Sequence, residues 1–391
     1  MIKKVKYTYV NILQRIKSER ELTMKGTYSC KELAEKFKFS GELINSERHI
    51  CGHINDTHIL NFKQSDGTVK KYILQRINTD VFPTVDELMN NIDGVTKHIS
   101  KKVQEEGGDV TREGLRLVPT VDEKLYYRTE AGDCFRAYHF IEGATTYMMV
   151  ENSMDFYKCG KALGKFQKQL SDFPADTVYE IIPDFHNTRK RYNDFLEAVK
   201  NDPCDRVKDV QAEIDFIMTR EKETGVLVDL LNEGKLPLRV THNDTKYNNI
   251  MIDDETGDAI CVIDLDTVMP GLSLYDYGDS IRSGATTALE DEADLSKVNF
   301  DINLFELFTK GFLESCGEAL TETEIEYLPF SAKLITLELS MRFLMDHING
   351  DKYFQIHRPN HNLERARNQL KLVADMEEAM YNMKEIVNKY I

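Results

Sequence analysis

Short apolar runs separated by turn-prone segments, such as those at 51–56 and 64–67, occupy the first part of the chain. They predict strands at residues 42–50, 57–62, 72–77, 115–118, 125–129 and 134–141. A helix is predicted after Thr84, between the third and fourth of these strands. Its apolar positions recur every three or four residues, at Leu88, Ile92, Val95, Ile99 and Val103. A capping-box pattern at 29–32 predicts a short leading helix.

Helical spacing dominates the rest of the chain. Residues 154–170 predict one helix, and an apolar stripe predicts another near the C-terminus, formed by Leu370, Val373, Met376, Met380, Met383 and Val387. At 391 residues, the chain exceeds the size at which one hydrophobic core usually suffices. We therefore expect an α+β protein of two lobes, a small β-rich one at 1–141 and a larger, mainly helical one at 142–391.

One polar loop between apolar runs carries the strongest signal for chemistry. Within residues 238–252, His242, Asp244 and Asn249 have the spacing His-x-Asp-x-x-x-x-Asn. A turn-rich link then leads to a third apolar run, which ends on Asp264 and Asp266. The turn brings two strand ends together, and both carry side chains with oxygen atoms. This is the layout of a phosphoryl-transfer site.

Transfer of the γ-phosphoryl group of ATP requires little covalent work from a protein, so positioning and charge neutralisation dominate catalysis. Asp244 is predicted to orient and deprotonate the acceptor hydroxyl, and Lys246 to reach the transferring phosphate as a point charge. His242 belongs to the same catalytic loop, as a bracing residue rather than the base. The alternative for Asp244 is a turn-forming role in an Asx motif.

The same segment predicts a magnesium site. Magnesium prefers oxygen ligands and also binds substrate phosphates, which suits the amide oxygen of Asn249 and the carboxylate of Asp264. Asp266 is a second candidate ligand, and its alternative role is to cap the next turn. We therefore expect ATP and Mg²⁺ as cofactors.

The loop at 242–249, together with residues 263–267, resembles the aminoglycoside phosphotransferase and choline kinase group, relatives of protein kinases. The closer resemblance is to N-acetylhexosamine 1-kinases, and it covers most of the chain, with supporting segments at 52–57, 72–78, 184–188, 275–282 and 361–367. This resemblance implies a bilobal protein-kinase-like fold. It also implies ATP-dependent phosphorylation of the anomeric hydroxyl of GlcNAc or GalNAc.

A kinase-like fold implies a nucleotide site in the N-terminal lobe. The chain has no Gly-x-Gly-x-x-Gly motif there, so the phosphate-binding turn is assigned to Gly52, Asn55 and Thr57, with an ordinary hairpin as the alternative. Where a protein kinase carries a strand lysine, this chain offers Gln75 and Arg76. Arg76 is assigned to the phosphate oxygens, and its carboxylate partner is left open.

The segment at 140–143 is predicted to join the two lobes. In a kinase-like architecture, the backbone groups of Phe140 and Glu142 would meet the adenine edge. That role depends on backbone geometry more than on particular side chains. The alternative is a plain strand end.

A neutral sugar acceptor needs several directed hydrogen-bond partners besides Asp244. His186 and Asn187 are candidates, although both could instead brace their own loop. For Arg342 and Tyr353, similar residues in the N-acetylhexosamine 1-kinases imply sugar contacts. From the sequence alone, Arg342 could equally form a buried ion pair with a neighbour such as Asp346.

Composition narrows the class of partner. A formal net charge of −16 disfavours nonspecific binding to nucleic acid or to an anionic membrane. The basic opening at 1–6 is not followed by a sustained apolar run, and no later run is long enough to span a bilayer, so we expect a cytoplasmic protein. The seven scattered cysteines fit reduced thiols. A small-molecule sugar is the expected partner, and no obligate protein partner is evident.

Three other functions fit part of the pattern. An aminoglycoside or choline kinase would share the loop, but its cationic acceptor requires a concentrated carboxylate or aromatic pocket. A noncatalytic pseudokinase is disfavoured by the joint presence of Asp244, Asn249 and Asp264. A glycosyltransferase could use residues 264–266 as its metal site, but the loop at 242–249 would stay unexplained. The sequence leaves open the choice between GlcNAc and GalNAc, the oligomeric state and lobe closure.

Overall fold

The computed structural model describes residues 28–49 and 54–391 of the chain. Residues 28–49, 54–78 and 118–140 form one compact unit, and residues 79–117 and 141–391 form a second, larger one. The boundary that the sequence predicts at residue 141 puts residues 79–117 in the N-terminal lobe. In the structure, this segment belongs to the larger unit. Gly52, Cys51 and the basic opening at 1–6 lie outside the described residues.

The smaller unit is built on an antiparallel five-stranded sheet in the order β1-β2-β3-β5-β4. Its strands are β1 (Glu42–His49), β2 (Asp56–Lys63), β3 (Val69–Ile77), β4 (Tyr127–Arg128) and β5 (Cys134–His139). The strands predicted at 42–50, 57–62, 72–77 and 134–141 are confirmed, and the one at 125–129 is shorter than predicted. The strand predicted at 115–118 is wrong: Val118 donates one hydrogen bond to Ala137, but Pro119 has no N–H with which to continue a ladder.

The two faces of this sheet have different surroundings. On one face, Tyr72 and Leu74 of β3 are almost fully buried in a cluster with the predicted leading helix, α1 (Cys30–Ala34). On the other face, Gln75 of β3 lies opposite Arg136 of β5. Because side chains alternate along a strand, Arg76 lies on the same face as Leu74, and Gln75 does not.

Helices dominate the larger unit, as predicted. They are α2 (Val85–Glu105), α3 (Ser153–Leu170), α4 (Thr188–Asn201), α5 (Gln211–Met218), α6 (Glu221–Thr224), α7 (Val226–Asn232), α8 (Ser273–Gly284), α9 (Ile302–Cys316), α10 (Glu322–Ile348) and α11 (His361–Lys389). The apolar stripe of α11 is buried except at Met380, which is half-buried. It is core, and not a cofactor site.

Two short sheets in the larger unit position the polar loop. β7 (Arg239–Thr241) pairs with β10 (Met269–Gly271). β8 (Ile250–Asp253) pairs with β9 (Ala259–Val262) and with β6 (Ala144–Thr145). The loop at 242–246 therefore begins at the end of β7 and leads through a short 3-10 turn into β8, while residues 263–267 follow β9.

Two further expectations from the sequence concern membrane-spanning helices and cysteines. Across 28–49 and 54–391, no helix has both the length and the apolar character that a membrane crossing requires. The cysteines in the same ranges are free thiols.

Candidate active site

One buried carboxylate holds the backbone of the catalytic loop. Asp276, near the start of α8, accepts the N–H of His242 at 3.0 Å through Oδ2 and the N–H of Asn243 at 2.7 Å through Oδ1. Asn243 has a φ of 64°, a left-handed conformation that asparagine tolerates better than most residues. Asp276 holds the N–H groups of this turn at His242 and Asn243, and Asp244 follows directly at the tip of the loop.

Asp244 and Lys246 form an ion pair at the loop tip. Lys246 Nζ lies 2.8 Å from Asp244 Oδ1, and both side chains keep contact with solvent, at 26% and 39% exposure for Asp244 and Lys246. Burial on its own would raise the pKa of the Asp244 carboxyl, but the Lys246 ammonium outweighs it and holds the pKa below the ordinary value. Asp244 is therefore a carboxylate at neutral pH, able to accept a hydrogen bond from a hydroxyl.

His242 uses both ring nitrogens inside the fold. Its Nε2 donates to the carbonyl of Ile263 at 2.8 Å, and its Nδ1 accepts the backbone N–H of Asp244 at 3.2 Å. A ring that donates from one nitrogen and accepts at the other is the neutral imidazole. His242 is fully buried and joins the loop to the end of β9, so these contacts favour the bracing role over direct chemistry.

The candidate metal ligands flank the paired strands β8 and β9: Asn249 directly precedes β8, and Asp264 and Asp266 follow β9. Asn249 Nδ2 donates to the backbone carbonyl of Asp244 at 2.8 Å, and the Asn249 carbonyl accepts the N–H of Ile263 at 2.9 Å. Asp264 follows directly, with a φ of 63° and an exposed side chain. Asp266 lies two residues further on and is buried.

The donor set fits Mg²⁺ bound together with a nucleotide. In the described part of the chain, no three His, Cys, Asp or Glu side chains are gathered as a metal site. Asn249 and Asp264 would therefore supply one amide oxygen and one carboxylate. Magnesium accepts so few protein ligands where phosphate oxygens and water complete its octahedron.

His186 lies beneath the catalytic loop. Its Nε2 donates to the carbonyl of Asn243 at 2.9 Å, and its Nδ1 lies 2.7 Å from Glu338 Oε1 on α10. Thr188 donates to the other oxygen of Glu338 at 2.5 Å. Burial alone would lower the pKa of His186, but the Glu338 carboxylate raises it above the ordinary value. The protonated ring therefore donates from both nitrogens, which ties α10 to the loop.

Asn187 also has local partners. Its side-chain oxygen accepts the N–H of Lys190 at 3.1 Å and caps α4, and its Nδ2 donates to Asp184 at 2.8 Å. Both polar ends of this side chain are used within the turn before α4. Like those of His186, these contacts favour a bracing role, and the sugar contact remains a prediction.

Arg342 lies against aromatic rings. Its guanidinium carbon is 5.0 Å from the ring centre of Phe185, 6.0 Å from that of Tyr353 and 5.6 Å from that of Phe354. The ion pair with Asp346 that the sequence left open does not form in the described structure. The Asp346 carboxylate accepts instead the backbone N–H groups of residues 352–354 at 2.9 Å each, and so shapes the loop that carries Tyr353.

The smaller unit gives Arg76 a carboxylate partner. Arg76 Nε donates to Asp133 Oδ1 at 2.8 Å, and Tyr28 donates to Asp133 Oδ2 at 2.7 Å. Burial would raise the pKa of Asp133, but Tyr28 and Arg76 hold it below its usual range. Arg76 is therefore already paired, on the sheet face that carries Leu74.

The other sheet face carries a polar row. Gln75 Nε2 donates to Thr57 Oγ1 at 3.0 Å, and Arg136 Nε donates to Gln75 Oε1 at 3.0 Å. Arg136 was not singled out from the sequence. Its only signal is that it lies opposite Gln75 in the pairing of β3 with β5, which becomes visible once the register is known. Asn55, at the start of β2, accepts the N–H of Asn78 at 3.0 Å.

The predicted hinge residues belong to different units and have backbone contacts in each. In the smaller unit, the N–H of Phe140 donates to the carbonyl of Lys71 at 3.4 Å and extends the pairing of β5 with β3. In the larger unit, Arg112 Nη2 donates to the carbonyls of Glu142 at 3.2 Å and Gly143 at 3.0 Å. The adenine contact of this segment remains a prediction.

A sequence profile of the APH phosphotransferase enzyme family matches residues 61–303, more than half of the chain. The chain belongs to this family. The match spans the catalytic loop, the candidate metal ligands and Asp276. The predicted kinase-like α+β fold is confirmed.

Several solved structures of other proteins have the same fold. An aminoglycoside phosphotransferase from Alicyclobacillus acidocaldarius is 13% identical, with a TM-score of 0.56 over 95% of this chain and 98% of that one. Amicoumacin kinase hAmiN, solved with AMP-PNP, Ca²⁺ and Ami, is 13% identical, with a TM-score of 0.54 over 92% of each chain. A microcompartment-associated aminopropanol kinase is 13% identical, with a TM-score of 0.54 over 90% of this chain and 97% of that one.

Proposed function

We propose that the protein transfers the γ-phosphoryl group of ATP to the anomeric hydroxyl of an N-acetylhexosamine, GlcNAc or GalNAc, and releases ADP and the sugar 1-phosphate. The observation that carries the proposal is the charge balance around Asp244. Three carboxylates near the loop tip have a cation beside them: Asp244 has Lys246, and Asp279 and Glu290 share Arg282. A site of this kind suits a neutral, hydroxyl-rich acceptor.

The residues divide the reaction between them. Asp244 accepts the proton of the C1 hydroxyl as that oxygen forms its bond to the γ-phosphorus. The bond from phosphorus to the β–γ bridging oxygen breaks, and ADP leaves with the electron pair. Lys246 stabilises charge on the transferring group. Asn249 and Asp264 would hold Mg²⁺, which neutralises phosphate charge when bound. A cytoplasmic location, where ATP is abundant, remains a prediction.

The structure favours a different strand residue for the nucleotide phosphates. We propose Gln75 and Arg136, in place of Arg76, as the polar strand residues that face the nucleotide phosphates. Arg76 is occupied by Asp133, on the face that packs against α1. Gln75 and Arg136 lie on the opposite face and are already aligned by a hydrogen bond of 3.0 Å. Thr57 continues the same row, in keeping with its predicted phosphate role.

The surroundings of Arg342, a candidate acceptor-binding residue, argue against the cationic alternatives. Aminoglycosides, choline and ethanolamine are cations, and a site for them needs carboxylates or aromatic faces that are not already occupied by a cation. Here Arg342 lies over Phe185 and Phe354, and Arg191 donates to the carbonyl of Phe185 at 3.0 Å. These two guanidinium groups would repel a cationic acceptor. They can instead donate hydrogen bonds to sugar hydroxyls and an acetamido oxygen.

An acceptor panel tests the proposal. ADP release is measured with GlcNAc, GalNAc, glucose, kanamycin and choline, together with the methyl glycoside of the best sugar, which has no free anomeric hydroxyl. We expect turnover with GlcNAc or GalNAc and none with the methyl glycoside. Equal turnover of the methyl glycoside would exclude phosphorylation at C1. A clear preference for kanamycin or choline would replace the sugar assignment by the cationic one.

A further inference from the structure

The segment that joins α8 to α9 is fixed against α11. Asn368 Nδ2 donates to the carbonyls of Leu289 at 3.0 Å and Glu292 at 3.3 Å. Between these two residues, the Asp291 carboxylate meets His361 Nε2 at 3.1 Å and Arg358 at 3.2 Å. These contacts hold the backbone on both sides of Glu290 in place.

Glu290 is oriented by a buried arginine. Arg282 Nη1 donates to Glu290 Oε2 at 2.7 Å, and Arg282 Nε donates to Asp279 Oδ1 at 2.9 Å. The Arg282 side chain is 1% exposed, whereas that of Glu290 is 36% exposed. A guanidinium fixed at both ends can hold one carboxylate oxygen and leave the rest of the carboxylate facing solvent.

The same helix connects Glu290 to the catalytic loop. Ser280 donates to the carbonyl of Thr245 at 2.8 Å, and Ser283 accepts the N–H of Tyr247 at 3.3 Å. These two bonds lie on either side of Lys246 in the sequence. Arg282 lies on the same helix, so its ion pair with Glu290 belongs to the helix that contacts the loop on both sides of Lys246.

The charges agree with that placement. Burial alone would raise the pKa of the Glu290 carboxyl, but Arg282 and Lys246 hold it below the ordinary value, with Arg365 adding to the effect. Glu290 is thus ionised at neutral pH, and its charge and that of Lys246 act on each other. A carboxylate accepts hydrogen bonds only, and the hydroxyls of a sugar can donate them.

We propose that Glu290 determines acceptor specificity by accepting a hydrogen bond from a ring hydroxyl of the sugar whose C1 hydroxyl lies at Asp244. This inference rests on the proposed function and adds a second acceptor-binding carboxylate to it. Discrimination follows from the charge of Glu290. An analogue that lacks the hydroxyl leaves one carboxylate oxygen without its hydrogen bond, and that costs more than the loss of a contact between neutral groups. Arg282 and Asp279 are positioning residues in this scheme.

The experiment pairs a protein variant with a substrate variant. kcat and KM are measured for wild type, Glu290→Ala and Glu290→Gln with the preferred N-acetylhexosamine and with its 3-, 4- and 6-deoxy analogues. We expect wild type to lose roughly 10- to 100-fold in kcat/KM on one deoxy analogue, the range that a hydrogen bond to a charged group provides. Glu290→Ala should lose as much on the parent sugar and should not discriminate between the parent and that analogue.

Glu292→Gln is the matched control, since Glu292 lies on the same segment and its side chain accepts the backbone N–H of Asp294 at 2.9 Å. We expect its kinetic constants to equal those of wild type. If Glu290→Ala loses stability, Glu290→Gln replaces it in the comparison, because Arg282 keeps a partner oxygen there. Losses of equal size on the parent and all deoxy sugars would overturn the proposal and leave Glu290 as a structural ion pair. A wild-type enzyme that phosphorylates no N-acetylhexosamine would instead overturn the proposed function.

Discussion

The ammonium of Lys246 lies 2.8 Å from the carboxylate of Asp244. Lys246 follows Asp244 by two residues in the same loop. The pair has two consequences. It keeps the catalytic candidate ionised in spite of partial burial, because the ammonium lowers the pKa of Asp244 below its ordinary value. It also places a positive charge where the negative charge of a transferring phosphoryl group would develop.

Replacing Lys246 by Met should shift the acidic limb of the pH–rate profile to higher pH. The pKa of Asp244 is lowered in the folded protein, so its base form is lost only as the pH falls through that lowered value. Without the ammonium, the effect of burial remains and raises the pKa. The measurement is kcat/KM against pH for wild type and Lys246→Met.

Lys384→Met is the control for this profile, since Lys384 is an exposed residue of α11. We expect its acidic limb to coincide with that of wild type. An acidic limb that stays in place in Lys246→Met would show that Asp244 does not control the profile.

The pair of His186 and Glu338 should make stability depend on pH. The pKa of His186 is raised above its usual 6.5, so its contribution is complete below pH 6.5 and is lost as the pH rises through the raised value. The pKa of Glu338 is lowered, so its contribution is present above pH 4.5 and is lost as the pH falls through the lowered value. Arg342 and Asp279 add smaller charge effects on the two groups.

Glu338→Gln should therefore destabilise the protein by about 3–5 kcal/mol near pH 6, the range for removing one partner of a buried ion pair. The difference from wild type should shrink at pH 8 to 9, as His186 loses its proton. Urea unfolding at both pH values measures it. Glu364→Gln, which removes a partly exposed pair with Arg358, should cost less than about 1 kcal/mol at either pH. A Glu338→Gln difference that grows with pH would contradict the assignment.

Asp264→Asn should raise the Mg²⁺ concentration needed for half-maximal activity by about tenfold or more. The substitution removes the negative charge of one ligand from a site that has few protein ligands. Asparagine tolerates the left-handed backbone at this position, where φ is 63°, so the melting temperature should change little. The measurement is a Mg²⁺ titration at fixed ATP.

Asp258→Asn is the control for that titration, since Asp258 is exposed in the turn before β9 and pairs with Lys158. The same titration of Asp266→Asn decides whether the buried second carboxylate also serves the metal. A Mg²⁺ dependence unchanged in Asp264→Asn would remove Asp264 from the site.

The polar loop at 242–249 and the candidate metal-ligand pair could be nominated from the sequence because their residues lie close together along the chain. His242, Asp244 and Asn249 lie within eight residues, and a single turn connects them to Asp264. Asp276 and Glu338, which hold the loop, lie far along the chain, and their roles depend on which helix packs beneath it. No local pattern encodes that packing.

The strand β3 shows a different limit. Tyr72 and Leu74 alternate with Ile73 and Ile77, so both faces are apolar and the sequence does not distinguish the face that packs on α1. The assignment of Arg76 to the nucleotide depended on that choice. Once the sheet register is known, Arg76 is found with Asp133, and Gln75 with Arg136.

The most direct test of the account is the turnover of Asp244→Asn. The substitution keeps the size of the side chain and removes the proton acceptor. The account predicts that kcat falls by about 10²-fold or more, while the affinity for ATP, measured by calorimetry, stays within a few-fold of wild type. Turnover close to that of wild type, with ATP bound normally, would contradict the assignment of Asp244 as the base for phosphoryl transfer.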